Sequence, residues 1–479
     1  MSNEKKFYIT TPIFYPNAKP HMGHAYTVVL SDCLARYHRL VGDSTYLLSG
    51  LDENTQKMVN SARAVGKEPL EFLDGIASIF KNLYTELDIS NDQFIRTTDR
   101  KAHWPGAQAL WQKLVDSGDI YKKSYEGLYC VGHEAFVTEK DLVDGKCPDH
   151  ATAPEFVKEE NYFFRLSRYA QQLREKIASD ELHIFPQSRK NEILSFIDKE
   201  GLDDVSFSRP RKADWPKGLG IPVPGDDSQV MYVWCDALSN YITALGYGRN
   251  DELFKTFWPA DVHVIGKDIL RFHAAIWPGM LMSAGLPLPK SLMVHGLILS
   301  GGKKMSKTLG NVIDSQDLLT EYGAEAVRYY LARHVTPFED GDVTPESFKE
   351  VYNANLANGL GNLAARVMKL AETHLEKVDV PELVELPPEY VEAFEKFEIN
   401  RAFDIIFSRV QALDQMITQT EPFKLVKTDL EAGKKLIADM AKELYRIGHF
   451  LTPFLPKTAE KIKEAVRTNK KPETLFPRK

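Results

Sequence analysis

Two histidines flank a glycine in the stretch "PNAKPHMGHAY", residues 16–26, which follows an apolar run and contains two prolines. His21 and His24 are three residues apart, so they lie on one side of the first turn if a helix begins here. A helix N-terminus attracts phosphate through its N–H groups, and Gly23 lets a base or phosphate approach the backbone. The spacing predicts a phosphate site without a P-loop lysine. A metal site has less support because no third ligand is evident nearby, and a loop with incidental histidines stays open as the alternative.

A second candidate is the lysine-rich loop "LSGGKKMSKTLGN", residues 299–311. Its lysines, Lys303, Lys304 and Lys307, lie between a pair of glycines and Gly310, which predicts a mobile loop whose ammonium groups swing onto phosphates. The alternative is an ordinary exposed basic loop. The histidine motif after an early strand and the lysine loop after a late strand are far more specific together than either is alone.

A third candidate consists of two cysteine–histidine pairs. Cys130-x-x-His133 and Cys147-x-x-His150 have the ligand number and spacing of a tetrahedral zinc knuckle. Two sulfur and two nitrogen donors also suit the borderline-soft Zn²⁺ ion. The alternative is a pair of buried cysteines beside surface histidines.

The first 120 residues contain the elements that must position the histidine motif. "KFYIT" alternates as a strand does, "HAYTVVLSDCLARYHRLVG" has a helical pattern that stops at Gly42, and "STYLLSG" predicts a second strand. Strand, helix, strand indicates a parallel α/β sheet with a right-handed crossover. Ligands bind beyond the carboxyl ends of such strands, which is where His21 falls.

Residues 121–225 are aromatic and turn-rich and predict an insertion between two halves of the sheet. Strand-like runs resume with "QVMYVW", "DVHVIG" and "SLMVHGLIL", and the sheet domain is expected to end near residue 335. From about residue 350 the pattern is purely helical, with apolar stripes that predict a bundle. The three stripes are Leu356, Leu360, Leu363, Val367 and Leu370; Phe403, Ile406, Val410, Leu413 and Ile417; and Ile437, Met440, Leu444, Ile447 and Leu451.

The predicted fold class is α/β. A Rossmann-like parallel-sheet catalytic domain with a small zinc-knuckle insertion precedes an all-α helical bundle. The predicted boundaries are 1–120 for the first half of the sheet domain, 121–225 for the insertion, 226–335 for the second half with the lysine loop, and 336–479 for a linker and the bundle.

The composition limits the class of protein. The chain has 479 residues, of which 43% are hydrophobic and 27% charged, as in soluble globular proteins of two or three domains. It has no apolar run long enough for a membrane span and no apolar signal segment, so we expect a cytoplasmic protein. The net charge of −7 argues mildly against a nucleic-acid partner. Residues 461–479 are locally basic, with seven Lys or Arg and two Glu.

The paired motifs resemble the HIGH and KMSKS motifs of the class I aminoacyl-tRNA synthetases. This chain has His21-Met22-Gly23-His24 and Lys304-Met305-Ser306-Lys307-Thr308, where Met22 and Thr308 depart from the usual residues but keep the polar groups. Within the class, the chain is similar over its whole length to the methionine-specific family. The stretches that carry this resemblance are "TTPIFYPNAKPHMGHAYT", "LSGLDEN", "YVWCDALSNYI", "HVIGKDILRFHAAIWPGM" and "GKKMSKTLGNVID".

The resemblance implies ATP-dependent activation of L-methionine and its transfer to the terminal adenosine of a methionine tRNA. His21 and His24 are then expected to donate to the phosphates, and Lys304 and Lys307 to hold the leaving pyrophosphate. Gly23 is expected to leave space for the nucleotide, and Asp268 is expected to bind ribose hydroxyls. Mg²⁺ is expected to enter the site bound to ATP.

The resemblance also implies an aromatic, soft methionine pocket, although such residues pack in cores about as often. Asp52 is expected to pair with the substrate ammonium. The other expected pocket residues are Ile13, Tyr15, Trp234, Ala237, Tyr241, Ile269, His273 and Trp277.

Three further expectations follow from the family. Relatives often hold zinc at the knuckle with more cysteine, so His133 is a departure. Asn362, Arg366 and Phe423 are expected to contact the anticodon, with Phe423 at a position where relatives usually have tryptophan. A monomer is expected because no further domain follows the bundle. Two other classes have less support: the intact His and Lys motifs disfavour a non-catalytic RNA-binding paralogue, and the bundle disfavours a small nucleotidylyltransferase.

Overall fold

A computed structural model of the chain describes residues 5–130, 135–137, 139–148, 152–211, 215–216, 218–305 and 313–479. Its centre is a six-stranded sheet whose neighbouring strands all pair in parallel. The strands are β1 (Lys6–Phe14), β2 (Ser44–Leu51), β3 (Gln93–Arg96), β4 (His183–Phe185), β5 (Val262–Gly266) and β6 (Ser291–His295). Their spatial order is β3-β2-β1-β5-β6-β4. The predicted parallel α/β sheet is thus confirmed.

The strand order reverses at β1, which pairs with β2 on one side and with β5 on the other. Ile9 shows both contacts, because it lies opposite Leu47 of β2 and Val262 of β5. Connections diverge on the two sides of such a strand, and a crevice opens beyond its carboxyl end. The histidine motif follows β1 directly, so the fold places it at that crevice.

The polypeptide between β3 and β5 builds two antiparallel sheets. One contains Ile120–Cys130, Ala135–Val137, Glu155–Phe164 and Val205–Ser206, and the other contains Ser208–Pro210, Pro222–Val223 and Asp226–Met231. Between Glu155–Phe164 and Val205–Ser206 of the first of these sheets, the chain returns to the parallel sheet, because β4 pairs with β6. The predicted insertion, 121–225, therefore includes one strand of the central sheet, while the domain boundaries themselves stay a prediction.

Helices cover the sheet and fill the carboxyl-terminal part. The helices before residue 352 are Met22–Leu40, Gln56–Ala64, Pro69–Glu86, Trp104–Asp116, Ala170–Ala178, Gln187–Glu200, Val233–Leu238, Asn240–Thr243, Glu252–Phe257, Trp277–Ser283, Ser315–Tyr322, Ala324–Tyr329 and Pro345–Val351. The later ones are Asn362–His374, Pro388–Glu395, Ile399–Thr420, Pro422–Thr428, Leu430–Phe450 and Pro456–Thr468. π-Helical turns span Phe272–Ile276, Tyr330–His334 and Tyr352–Gly361. A small sheet contains Ile298–Ser300, Lys303–Lys304 and Gly341–Asp342.

The predicted bundle stripes are confirmed. Every stripe residue is buried except Leu370, which is partly buried against the same core. That core is continuous with the one on one face of the sheet, so the bundle and that face share an apolar core. At their junction Tyr37, on the helix after β1, stacks on Phe394 of the bundle with ring centroids 4.0 Å apart.

A buried ion pair also crosses this junction. Arg328 Nη1 lies 2.7 Å from Asp32 Oδ2, and both side chains are fully buried. Arg328 also donates to the carbonyl oxygens of Leu87, Pro453 and Phe454 at 2.7–3.2 Å. Burial alone would raise the pKa of Asp32, but the guanidinium groups of Arg328 and Arg36 and the hydrogen bonds from Ser90 together outweigh burial and hold that pKa below its ordinary value. We call this group of contacts the Arg328 junction.

Candidate active site

The histidine motif forms the first turn of the Met22–Leu40 helix. The backbone N–H of Gly23 donates to His21 Nδ1 at 3.1 Å, and the N–H of His21 donates to His24 Nδ1 at 3.0 Å. This is a reciprocal capping box made by two imidazoles instead of a hydroxyl and a carboxylate. A Cβ atom at Gly23 would lie 2.9 Å from the His21 ring, so the cap requires glycine between the histidines.

The cap fixes the protonation of both rings. A ring nitrogen that accepts a hydrogen bond carries no proton, so His21 and His24 are neutral and carry their protons on Nε2. Burial, with a smaller effect of His21, lowers the pKa of His24 well below its ordinary value. The two rings lie with centroids 4.0 Å apart, so the helix start offers paired neutral donors and no general base.

Asp268 approaches the same crevice from β5. It lies in a short 3₁₀ turn, Lys267–Ile269, directly after that strand. A Cβ atom at Gly266 would lie 2.6 Å from Asp268 Oδ1, so the absence of a side chain there makes room for the carboxylate. The structure therefore places Asp268 beside the carboxyl end of β5, next to the strand that leads into the histidine motif.

The lysine loop begins on the same side of the sheet. The strand Ile298–Ser300 follows β6 and pairs with Lys303–Lys304, so Lys304 lies in a short hairpin. At the end of β6, His295 Nε2 lies 2.9 Å from the hydroxyl oxygen of Thr27, which is on the helix that carries the histidines. Lys307 and the rest of the predicted motif, residues 306–312, lie outside the described residues.

The predicted methionine-pocket residues fall into two adjoining groups. Ile13, Tyr15, Trp234 and Ala237 share one cluster of apolar contacts. Tyr241, Ile269 and Trp277 belong to a second cluster, against which Ile13 and Trp234 also pack. The two groups therefore form one continuous aromatic and aliphatic lining.

His273 joins the floor of this lining through hydrogen bonds. Its Nε2 is 2.7 Å from the Tyr241 hydroxyl, and its Nδ1 is 3.0 Å from the Ile269 carbonyl oxygen. A carbonyl oxygen only accepts, so Nδ1 carries the proton and the tyrosine donates to Nε2. His273 lies in the π-helical turn Phe272–Ile276, and π-turns occur frequently at functional sites.

The neutral state of His273 predicts acid sensitivity. Burial lowers the pKa of His273 to about 4, whereas an unfolded histidine titrates near 6.5. Between those values the unfolded chain binds the extra proton, so the stability contributed at neutral pH is lost as the pH falls below about 6.5. His273 alone should lower the free energy of unfolding by about 2 kcal/mol between pH 7 and pH 5.

Urea denaturation of the wild type and of a His273→Gln variant at both pH values measures this effect. The variant should lose less stability on acidification than the wild type. Equal losses in the two proteins would contradict the assignment of a neutral His273.

Asp52 begins a run of buried polar side chains after β2. Asp52, Glu53 and Asn54 are all at most 3% exposed. Glu53 is held by Arg96 Nε at 2.8 Å and by the Thr98 hydroxyl. Asp52 donates its backbone N–H to the Phe14 carbonyl oxygen at 2.9 Å, which places it beside the end of β1 and near Ile13 and Tyr15.

The predicted zinc ligands are only partly described. Cys130 and Cys147 are both buried, at 1% exposure. His133 and His150 lie outside the described residues, and no group of three or more metal-binding side chains occurs among the residues that are described. The zinc knuckle thus stays a prediction.

The predicted anticodon residues converge on one open groove of the bundle. Asn362, Arg366 and Phe423 all line it, together with Lys369 and Lys471. Phe423 is 46% exposed, so much of its ring is open to solvent. Arg366 makes an ion pair with the partly exposed Asp414.

Sequence reasoning missed two kinds of contact residue. Tyr232 and Val233 pack in the same cluster as Tyr15 and Trp234, and the continuous "YVW" run is the signal that could have included them. No periodic pattern in the sequence indicates Asn54 or the buried Asp236, which form a hydrogen bond with each other next to the pocket.

The part of the chain that the structure describes contains no helix long and apolar enough to cross a membrane.

The fold and the site define a class I aminoacyl-tRNA synthetase. The family model "tRNA synthetases class I (M)" matches residues 7–153 and 150–368. The methionine–tRNA ligase of Clostridium acetobutylicum is 44% identical over 97% of this chain and 73% of its own length. That of Brucella suis is 43% identical over 96% of this chain and 92% of its own length. The chain belongs to the methionyl-tRNA synthetase family.

Solved structures agree with this assignment. The Mycobacterium tuberculosis methionyl-tRNA synthetase in complex with methionyl-adenylate has a TM-score of 0.88 and 35% identity, covering 99% of this chain and 98% of that one. The ligand-free form of the same enzyme has a TM-score of 0.83 and 32% identity, covering 100% and 99% of the two chains. The similarity therefore includes the insertion and the bundle as well as the sheet.

Proposed function

We propose that the chain is a methionine–tRNA ligase. It activates L-methionine with ATP to methionyl-adenylate and transfers the methionyl group to the 3′-terminal adenosine of its cognate tRNA. The observation that carries the proposal is the meeting of the imidazole-capped helix, Asp268 and the aromatic pocket at the switch point beyond β1, in a chain of this family. Methionine–tRNA ligases at 42–44% identity and a methionyl-adenylate complex among the similar structures support it.

The nucleotide is proposed to lie across the carboxyl ends of β1 and β5. His21 and His24 donate from Nε2 to the phosphates, and Gly23 allows the backbone to come close. Asp268 accepts from ribose hydroxyls, and Lys304 and Lys307 neutralise the pyrophosphate. Mg²⁺ bound to the ATP phosphates supplies further charge neutralisation.

Methionine is proposed to occupy the adjoining lining. The thioether is flexible and polarisable, and it packs against the rings of Trp234, Tyr241 and Trp277 and against Ile13. Asp52 pairs with the ammonium group. The proposed pocket is completed by Tyr15, Ala237, Ile269 and His273. The neutral His273 accepts from the Tyr241 hydroxyl and so orients it without adding a charge.

The chemistry needs positioning and charge stabilisation rather than a covalent nucleophile. A carboxylate oxygen of methionine bonds to the α-phosphorus, the bond from that phosphorus to the bridging oxygen breaks, and pyrophosphate leaves. The oxygen of a tRNA ribose hydroxyl then bonds to the methionyl carbonyl carbon, the bond from that carbon to the phosphate oxygen breaks, the hydroxyl proton passes to the departing phosphate, and AMP leaves. Neutral imidazole donors suit the first step because they stabilise spreading negative charge without exchanging protons.

Methionine-dependent ATP–pyrophosphate exchange tests the proposal. Exchange with methionine, followed by charging of methionine tRNA, is the expected result. Exchange stimulated by leucine or cysteine and not by methionine would overturn it. The monomeric state and the cytoplasmic location stay predictions.

A structural zinc ion at Cys130, His133, Cys147 and His150 is part of the proposal. Two buried thiols in this region and two histidines at the same spacing form a donor set of the right number and softness for Zn²⁺. Elemental analysis of protein purified without chelator should give about one zinc per chain, since four ligands complete one tetrahedral site. A metal content near zero would end this part of the proposal.

The groove of the bundle is proposed to bind the anticodon. Phe423 is exposed enough to stack on an unstacked base, while Asn362 and Arg366 reach base edges. A base–aromatic stack is worth roughly 1–3 kcal/mol, so Phe423→Ala should lower kcat/KM for tRNA by about 5- to 150-fold. Phenylalanine offers less stacking area than the usual tryptophan, which favours the lower half of that range.

The control for Phe423→Ala is the exchange reaction, which does not involve tRNA and should be unchanged. Val426, on the same short helix but buried, offers a matched comparison, since Val426→Ala should lower stability without a selective effect on tRNA. A parallel loss of exchange and charging in Phe423→Ala would show that this residue is structural.

A further inference from the structure

The side chain of Asn54 joins three separate parts of the chain. Its Nδ2 donates to the Thr97 carbonyl oxygen at 2.8 Å and to Asp236 Oδ2 at 2.8 Å. Its Oδ1 accepts from the Gly220 N–H at 3.0 Å. Asn54 is 2% exposed, so water does not compete for these bonds and each donor and acceptor is matched within the protein.

Asp236 extends the chain of bonds to two further helices. Its Oδ1 lies 2.7 Å from His103 Nε2, and His103 Nδ1 lies 2.7 Å from the Thr243 hydroxyl. Asp236, His103 and Thr243 are all fully buried. Asp236 lies on the helix Val233–Leu238, Thr243 on the next helix, and His103 immediately before the helix Trp104–Asp116.

These bonds connect the two walls of the proposed methionine pocket. Asn54 is two residues after Asp52, which is proposed to bind the ammonium group. Asp236 lies between Trp234 and Ala237, which are proposed to line the side-chain pocket. Asn54, Asp236 and His103 are not among the proposed lining residues, so we expect them to act on methionine through the position of the residues beside them.

We infer that Asn54, Asp236 and His103 are positioning residues that fix the distance between the ammonium site and the side-chain pocket. We call them the Asn54–Asp236 link. The inference rests on the proposed function, because it assigns the link to methionine binding. It adds to that function the residues that set the spacing between the ammonium site and the side-chain pocket.

The residue types explain why the link is specific. A carboxylate only accepts, so Asp236 can bond to both Asn54 and His103, which are donors at the contacting atoms. An aspartate at position 54 would place two carboxylates in contact and would lose the donor to Thr97. An asparagine at position 236 alone would offer one oxygen where Asn54 and His103 now meet two. Exchanging the residues at positions 54 and 236 restores a donor–acceptor pair between them.

The first test is Asn54→Asp, measured by ATP–pyrophosphate exchange. Displacement of about 1 Å in a positioned site costs roughly 100-fold, so kcat/KM for methionine should fall by about that factor. KM for ATP should stay within about twofold, because the proposed nucleotide residues follow β1 and β5 and are not part of the link. Asn54→Ala removes the three hydrogen bonds of the Asn54 side chain without adding charge, and it should raise KM for methionine by about tenfold, the net effect of about one hydrogen bond.

The matched control is Asp119→Asn. Asp119 is also fully buried and also bonds several side chains, among them Arg168 at 2.9 Å and Ser283 at 2.7 Å, but it lies at the start of the insertion. It should lower the melting temperature as the link variants do and leave KM for methionine unchanged. This comparison separates a positioning effect from a loss of stability.

The double variant Asn54→Asp with Asp236→Asn decides whether the two residues act on each other. It should recover at least tenfold of the kcat/KM lost in Asn54→Asp, because the amide and the carboxylate are exchanged. Absence of recovery, or equal increases of KM for methionine and ATP in Asn54→Ala, would overturn the inference while wild-type exchange remained intact. Absence of methionine-dependent exchange in the wild type would overturn the proposed function, and the inference with it.

Discussion

Lys307→Ala is expected to lower the rate of methionine-dependent exchange by about 10²- to 10³-fold, the loss typical when one charge-stabilising donor is removed. The ammonium group is proposed to act on the charge that develops on the leaving pyrophosphate. Its effect should therefore appear in kcat, with KM for methionine nearly unchanged. The position of the loop supports this role, because the hairpin that starts it follows β6 beside the imidazole-capped helix.

Two variants of the same loop serve as controls. Lys307→Arg keeps the charge and should recover part of the lost rate. Lys303→Ala removes a neighbouring ammonium group that is not among the proposed catalytic residues, and it should have a small effect. An increase of KM for methionine in Lys307→Ala, with kcat unchanged, would contradict the proposed role.

Arg328→Leu is expected to lower the free energy of unfolding by about 4 kcal/mol, because it breaks a buried ion pair and removes the donor to several buried carbonyl oxygens, while Asp32 keeps its contact with Arg36. The variant removes the Nη1 contact to Asp32 and leaves three buried carbonyl oxygens without this donor. Urea denaturation followed by circular dichroism at pH 7 measures the change.

Arg401→Leu is the comparison for Arg328→Leu. Arg401 also pairs with carboxylates, Glu392 and Glu398, but on the exposed surface of the bundle. Surface pairs contribute little, so this variant should unfold like the wild type. Equal stability of the two variants would show that the Arg328 junction does not hold the sheet and the bundle together.

Local sequence patterns predicted the features that depend on local structure. The helix after the histidine motif and the three bundle stripes were predictable because proline, glycine and a 3.6-residue period act over a few positions. The strand His183–Phe185 was missed because three residues are too few for a period, and its partner, β6, is about 100 residues away in sequence.

The candidate site was predictable in its residue types and not in its hydrogen bonds. His21, Gly23 and His24 were singled out by spacing, but nothing in the spacing showed that the imidazoles cap the helix and each other. The Asn54–Asp236 link joins residues 182 positions apart, and such a contact appears only when the chain is folded. The roles of Lys307, the zinc ligands and the anticodon residues stay predictions.

The Arg328 junction and the shared apolar core have a consequence for how the enzyme selects a tRNA. Because the described residues of the bundle and of one face of the sheet share one apolar core, we expect the groove around Phe423 and the crevice at His21 to keep a nearly constant separation. If the groove binds the anticodon as proposed, a tRNA is expected to be charged only when its acceptor end also reaches the adenylate site at that separation. The length and bend of the tRNA are then expected to matter for charging together with its anticodon.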